Sequence, residues 1–285
     1  MGDLFRDRVV LVTGGGRGIG KRLALGFAAH GARVGLVARS RCELDLAHLE
    51  IQHSGGSSMR FSGDVRDREF LQEAVNRMRV QFGRPVDTVI CAAAIQGPIG
   101  PFTNADPRQW WEAVDTNLRG VANACWAVLP GMIEARAGKL IALTGSGVAR
   151  ARPYFTAYAA SKSAVARFME SLAIEVAEHN IQANCFSPGG TYTAITDEIL
   201  QAGERAGPKD LENARQIRQT GGTPPEKQLQ LAFFLASWRS NHITGRLIHV
   251  DDDWHKLADS SPHPESYTLR RFHHRSDRNK SGDES

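Results

Sequence analysis

The chain predicts an α/β fold of the doubly wound class, one parallel sheet with helices on both faces. Two observations carry that expectation. Short, β-branched apolar runs alternate with amphipathic helical stretches from residue 9 to residue 250. Strands joined through helices return to the same end of a sheet and therefore run parallel. The second observation is a run of glycines between the first strand and the first helix, where a tight turn is needed.

Residues 9–12 (VVLV) are too short and too β-branched for a helix and stop at glycines. Residues 21–30 have helical apolar spacing and are closed by Gly31. Residues 33–37 form the second strand and 42–53 the second helix, ended by Ser54-Gly55-Gly56-Ser57-Ser58. A short strand at 59–62, a helix at 68–82 and a strand at 86–93 follow. Pro107 opens one long helix reaching Ala135, at a position where its missing N–H does no harm. Residues 140–144 are a strand, 157–179 a second long helix, and 181–187 a strand. A helix at 225–237 and a strand at 247–250 complete the alternation. Only 191–224, rich in Gly, Thr and charge, breaks the rhythm; such an insertion past a strand end is expected to cover a ligand crevice. The expected organisation is one domain over 1–257 and a polar tail over 258–285, mobile or loosely docked.

Composition narrows the class. With 41% hydrophobic and 23% charged residues, 28 glycines and 12 prolines in 285, the chain is neither disordered nor collagen-like. No apolar run approaches the roughly 20 residues of a membrane-spanning helix. Residues 1–8 are charged where a signal peptide would be apolar. A soluble, cytoplasmic protein with no membrane partner is expected. Cys42, Cys91, Cys125 and Cys185 are scattered without a CxxC pair, so reduced thiols and no metal site are expected. Residues 258–285 hold five basic and five acidic residues, which leaves 30 against 26 in the rest. That mild excess does not indicate nucleic acid, and a small anionic ligand accounts for a few arginines equally well.

Thr13-Gly14-Gly15-Gly16-Arg17-Gly18-Ile19-Gly20 follows the first strand and opens the first helix. Glycines there let the backbone approach a pyrophosphate, which the free N–H groups and positive end of the helix hold. In this strand–turn–helix setting, nucleotide binding outweighs a plain loop. Downstream, Tyr158-Ala159-Ala160-Ser161-Lys162 puts a phenol and an ammonium on one helix face. On an amphipathic helix alone, such a pair would be read as ordinary surface. An ammonium about 5 Å from the phenol, at an effective dielectric near 20, favours phenolate by roughly 3 kcal/mol, or about two pKa units. That tuning brings a tyrosine within range of proton transfer at a carbonyl or carbinol oxygen.

Taken together and in this order, TGxxxGxG and YxxxK resemble the short-chain dehydrogenase/reductase family, over about residues 5–257. The resemblance implies a Rossmann fold and an enzyme that interconverts a carbonyl and a secondary alcohol by hydride transfer. It makes Tyr158 the proton donor or acceptor, and gives Lys162 its tuning and a cofactor ribose contact. Asn117 matches the family asparagine that holds a water beside that lysine. The family serine lies thirteen residues before the tyrosine, where this chain has Gly145 between Thr144 and Ser146. Ser146 is preferred as the substrate-orienting hydroxyl, with Thr144 the alternative.

Cofactor contacts follow from the same resemblance. Thr13, Gly14, Arg17, Gly18, Ile19 and Gly20 form the phosphate turn. Asp64 and Val65 resemble the pair that brackets the adenine. Pro188 and Gly189, with Thr193 beyond, resemble the turn near the nicotinamide. An NAD-selective member carries an acid where Ala38 stands; Arg39 offers a guanidinium suited to a phosphate, with Arg17 in support. NADP(H) is therefore preferred, with NAD(H) the alternative. Cys91-Ala92-Ala93-Ala94 departs from the family's Asn-Asn-Ala-Gly, removing amides that brace this strand end. Two rivals remain: a non-catalytic NADP(H)-binding regulator, and a nucleotide-sugar epimerase or dehydratase. Phe102, Trp110, Trp111, Tyr154, Phe155 and Tyr192 are candidate pocket aromatics. The two long helices carry Trp110, Trp111, Trp126, Phe168 and Met169, more apolar surface than one buried stripe needs. The family pairs such helices across a twofold axis, which implies a homodimer or homotetramer.

Overall fold

The computed structural model describes residues 4–263 and 265–270. β1 (Val9–Thr13) runs into α1 (Gly18–Ala29), β2 (Arg33–Ala38) into α2 (Arg41–His53), and β3 (Ser57–Ser62) into α3 (Arg68–Phe82). β4 (Thr88–Cys91) leads to α4 (Pro107–Val114) and α5 (Gly120–Ala135), and β5 (Gly138–Leu143) to α6 (Thr156–Glu175). After β6 (Ile181–Ser187) come α7 (Ala194–Ala202), α8 (Pro208–Thr220) and α9 (Pro225–Ala236), then β7 (Leu247–His249). The strands form one sheet in the order β3-β2-β1-β4-β5-β6-β7, and every pairing is parallel. The doubly wound fold is thus the observed one. Strand order reverses between β1 and β4, so a crevice opens beyond their carboxyl ends.

The sheet is covered on both faces, which explains why its central strands read as continuous apolar runs. Every residue of β1, β4 and β5 is buried. On one face Leu11, Val89 and Leu140 meet Met78, Cys125 and Val165 from α3, α5 and α6. On the other, Val10, Ile90 and Ile141 meet Leu23, Phe27 and Leu231 from α1 and α9. Each fully buried Leu or Phe contributes about 1.5–3 kcal/mol relative to exposure. Ser40, Asp67 and Asp106 cap α2, α3 and α4 by accepting backbone N–H bonds at 2.9–3.3 Å, and so fix where those helices begin.

Three details differ from the sequence expectation. The stretch 107–135 is not one regular helix: residues Asp115–Arg119 form a π-helical turn between α4 and α5. The wider turn lets consecutive residues, Thr116 and Asn117, both face inward. Ser57 and Ser58 belong to β3, because pairing with Arg33 and Val34 on β2 supplies hydrogen bonds that composition does not reveal. β4 is confined to Thr88–Cys91. The insertion at 191–224 folds as two helices, α7 and α8, closed at its neck by a bridge between Thr191 and Gly222. After β7, the chain docks on the sheet edge: Leu247 N–H donates to the Tyr267 carbonyl at 2.7 Å, and Arg270 pairs with Glu170 at 2.6 Å. Residues 271–285, including most of the basic cluster, lie outside the described residues.

Candidate active site

A cleft of about 800 Å³ lies beyond the carboxyl ends of the central strands. Its near end is the glycine turn. Gly14 and Gly18 have φ of +69° and +56°, a region that costs other residues strain. A Cβ on Gly14 would stand 2.7 Å from the Ala93 nitrogen, and one on Gly20 only 2.2 Å from the Gly14 carbonyl oxygen. These positions leave a side-chain-free cradle at the start of α1, a 12-residue helix whose positive end suits a phosphate. The residues present therefore fit a dinucleotide. Thr13 does not line the cleft. It is buried beneath it, and its hydroxyl accepts the Ala93 N–H at 3.4 Å.

Arg39 is exposed on the cleft wall at the end of β2, next to Ala38. Arg17 shares that wall, and its guanidinium is 3.5 Å from the Glu43 carboxylate. Asp64 and Val65 also line it. Hydrogen bonds from Arg66 to Asp64 at 2.7–3.1 Å hold its carboxyl below the ordinary carboxylate range, against the opposing effect of burial. Asn123 on α5 donates to the Val65 and Arg66 carbonyls at 3.0 and 2.9 Å, and so fixes this loop.

Tyr158, Lys162, Thr144 and Ser146 occupy the other end of the cleft. The Lys162 ammonium is 1% exposed and donates to the Leu143 carbonyl at 2.7 Å. Burial pulls its pKa down to about 8. The Tyr158 phenol is pushed above its usual range by burial, and the opposing cation is Arg152. The Lys162 ammonium lies over the same ring, 5.9 Å from its centre, while it donates to the Leu143 carbonyl. Thr144 is buried, and its hydroxyl donates to the Phe186 carbonyl at 3.3 Å. Ser146 is exposed on the cleft wall. A Cβ at Gly145 would stand 2.6 Å from the phenol oxygen, so glycine is what allows this tyrosine its seat.

Asn117 lies behind the cleft, fully buried. Its carboxamide accepts from Ile95 N–H at 2.9 Å and donates to the Ile95 carbonyl at 3.0 Å and to Ser161 Oγ at 2.9 Å. With Thr13, it braces the strand end where Cys91 to Ala94 lack amides. Pro188, Gly189 and Thr193 line the cleft from the β6 side. Gln228 on α9, unremarked in the sequence, donates to the Pro188 carbonyl at 2.8 Å and to Thr191 Oγ1 at 2.5 Å. Arg152 and Asp210 were equally silent, because a contact across 58 residues leaves no local spacing to read. Of the candidate aromatics, Tyr192 lines this cleft and Tyr154 an adjoining cavity; Phe155 is buried in the small core beneath α7 and α8.

The sequence profile of the short chain dehydrogenase family matches residues 8–204. The chain belongs to this family. It is an oxidoreductase. It is similar to the 3-oxoacyl-[acyl-carrier-protein] reductase FabG of Chlamydia muridarum, 31% identical over 88% of this chain and 98% of that one. Among solved structures it resembles levodione reductase, with a TM-score of 0.79, 25% identity, and coverage of 89% and 99%. It also resembles a gluconate 5-dehydrogenase from Burkholderia cenocepacia J2315 in complex with NADP and tartrate, with a TM-score of 0.76, 28% identity, and coverage of 87% and 96%. Among the described residues, no helix is long and apolar enough to cross a membrane, and no three His, Cys, Asp or Glu are grouped to hold a metal ion.

Proposed function

We propose that this dehydrogenase interconverts a small-molecule carbonyl and a secondary alcohol using NADP(H). The observation that carries the reading is the single cleft joining the glycine cradle to Tyr158, Lys162 and Ser146. A bound nicotinamide cofactor supplies or accepts the hydride. Tyr158 O–H donates its proton to the carbonyl oxygen in reduction, and the phenolate takes it back in oxidation. Ser146 orients that oxygen by hydrogen bonding. Lys162 holds a positive charge in the cleft floor, and Asn117 keeps the strand end in register beneath it. Ala38 and Arg39 support the 2′-phosphate reading: no acid stands at the strand end, and a guanidinium faces the cleft rim. The NADP named with the gluconate 5-dehydrogenase relative agrees with it.

The test is NADPH consumption against a panel of ketones, keto acids and 3-oxoacyl thioesters, run with the wild type and Tyr158→Phe. Turnover in the wild type that falls by at least about a hundredfold in the variant is expected, as for loss of a general acid. NADPH binding with no turnover across the panel would favour the cofactor-sensing reading instead.

A further inference from the structure

Arg152 lies in the loop between β5 and α6, on the wall of the same cleft as Tyr158. Only 9% of its side chain is exposed. Its guanidinium carbon is 3.8 Å from the ring centre of Phe155 and 5.6 Å from that of Tyr158. Asp210, on α8 of the insertion, accepts from Nε and lies 2.8 Å from the terminal nitrogen as well. Asp210 supplies the counter-charge that a guanidinium removed from water needs. The pair thereby holds a cation against the Tyr158 ring, and the Lys162 ammonium lies 5.9 Å from the same ring centre while donating to the Leu143 carbonyl.

We propose that Arg152, anchored by Asp210, is the positioning residue that stabilises ionised Tyr158, so that the α8 insertion forms part of the proton-transfer device. The inference rests on the reading of Tyr158 as the proton donor. When the Tyr158 O–H bond breaks, its proton passes to the substrate oxygen, and the electron pair stays on the phenol, whose ring centre lies 5.6 Å from the Arg152 guanidinium carbon. The charged and titratable groups that bear on the phenol come from several elements. Arg152 faces it from the β5–α6 loop, and Lys162 from its own helix. Asp210 bears on it through Arg152 from α8, and the Cys91 and Cys185 thiols on β4 and β6 act on Lys162. Burial raises the phenol, and Arg152 lowers it. An opposite charge at this range favours the ionised form, so removing it must weaken the acid.

The experiment is NMR on protein carrying carbon-13 at tyrosine Cζ, a nucleus whose shift reports phenol ionisation. The chain has four tyrosines, and Tyr158→Phe assigns the signal. Arg152→Gln is expected to raise the Tyr158 midpoint by about one pH unit or more, with part of the shift restored in Arg152→Lys. Asp210→Ala removes the anchor on α8, so Arg152 is no longer held against the phenol and the midpoint should rise there as well. A midpoint unchanged in Arg152→Gln overturns the proposal. So does a midpoint unchanged in Asp210→Ala, which would leave α8 no part in the device. A Tyr158 that never ionises below the pH of unfolding overturns it too. The signal needs no turnover. Full activity in Tyr158→Phe would therefore sink the catalytic reading while leaving the coupling of Arg152 to Tyr158 measurable by itself.

Discussion

Arg39 and Arg17 share one wall of the cleft but differ in what else they touch. Arg17 has the Glu43 carboxylate 3.5 Å away, which offsets part of its charge, so Arg39 is expected to carry the larger share of phosphate recognition. Arg39→Ala should weaken NADPH by about ten- to a hundredfold, the range of one charge-assisted hydrogen bond. NADH, which lacks the phosphate, should change little, and equal losses for both in a fluorescence titration would refute the assignment. The hydroxyls flanking Gly145 separate as cleanly. Thr144 donates its hydroxyl to a backbone carbonyl, whereas Ser146 stands on the cleft wall. Ser146→Ala should lower kcat by roughly a hundredfold, as for other donors to a developing oxyanion. Thr144→Val, which removes the hydroxyl bonded to the Phe186 carbonyl, should lower kcat far less than Ser146→Ala does. The reverse ranking in steady-state kinetics would show that the loop presents the other residue.

At the scale of elements, the strand β5 carries a consequence for stability against pH. Lys139 lies near its start, buried, and donates to Ser240 Oγ at 3.1 Å and Asn241 Oδ1 at 2.8 Å. Burial, reinforced by Arg8, lowers its pKa to about 7. In the unfolded chain a lysine titrates near ~10.4. Between those values the unfolded chain holds a proton that the folded chain has released, so stability rises with pH across that window. Below pH 7 both states are protonated and the full penalty of burying the charge applies. The slope is at most about 1.4 kcal/mol per pH unit. Lys139→Gln should therefore flatten the curve of urea-unfolding free energy against pH between 7 and 9. Lys162, also lowered, keeps its own contribution in both proteins above pH 8. Parallel curves for the two would contradict this account.

For the molecule as a whole, the open question is what covers the outer face of the long helices. Met169 turned inward to the core, and Trp110 is half-buried with its indole N–H on Thr156 Oγ1 at 3.0 Å. Trp111, Trp126 and Ile174, on α4, α5 and α6, remain exposed at 61%, 51% and 77%. At roughly 25 cal/mol per Å² such side chains favour burial against a second copy, and a twofold pairing closes on itself. We therefore propose at least a homodimer through these helices. Light scattering at micromolar concentration should give at least twice 31.2 kDa. Trp126→Glu should shift the mass toward the monomer, and an active monomer in the wild type would end the proposal.

The sequence by itself determined the architecture and the glycine turn between β1 and α1. Unbroken apolar runs at strand length, and glycines at positions where a Cβ would strike backbone, are local features that admit few alternatives. The four-residue spacing of Tyr158 and Lys162 likewise fixed a shared helix face. Their electrostatic partners were not legible. Whether an ammonium tunes a phenol depends on where a third group, here the Leu143 carbonyl, draws it. The π turn at Asp115–Arg119 goes with the bonds of Asn117 to the Ile95 backbone, in the loop that follows β4. The helices of 191–224 gain their place from packing on Phe155 and Tyr158 and from the bond between Arg152 and Asp210. Those are contacts between segments far apart in the chain, and their energies appear only when the fold brings the groups within a few ångströms.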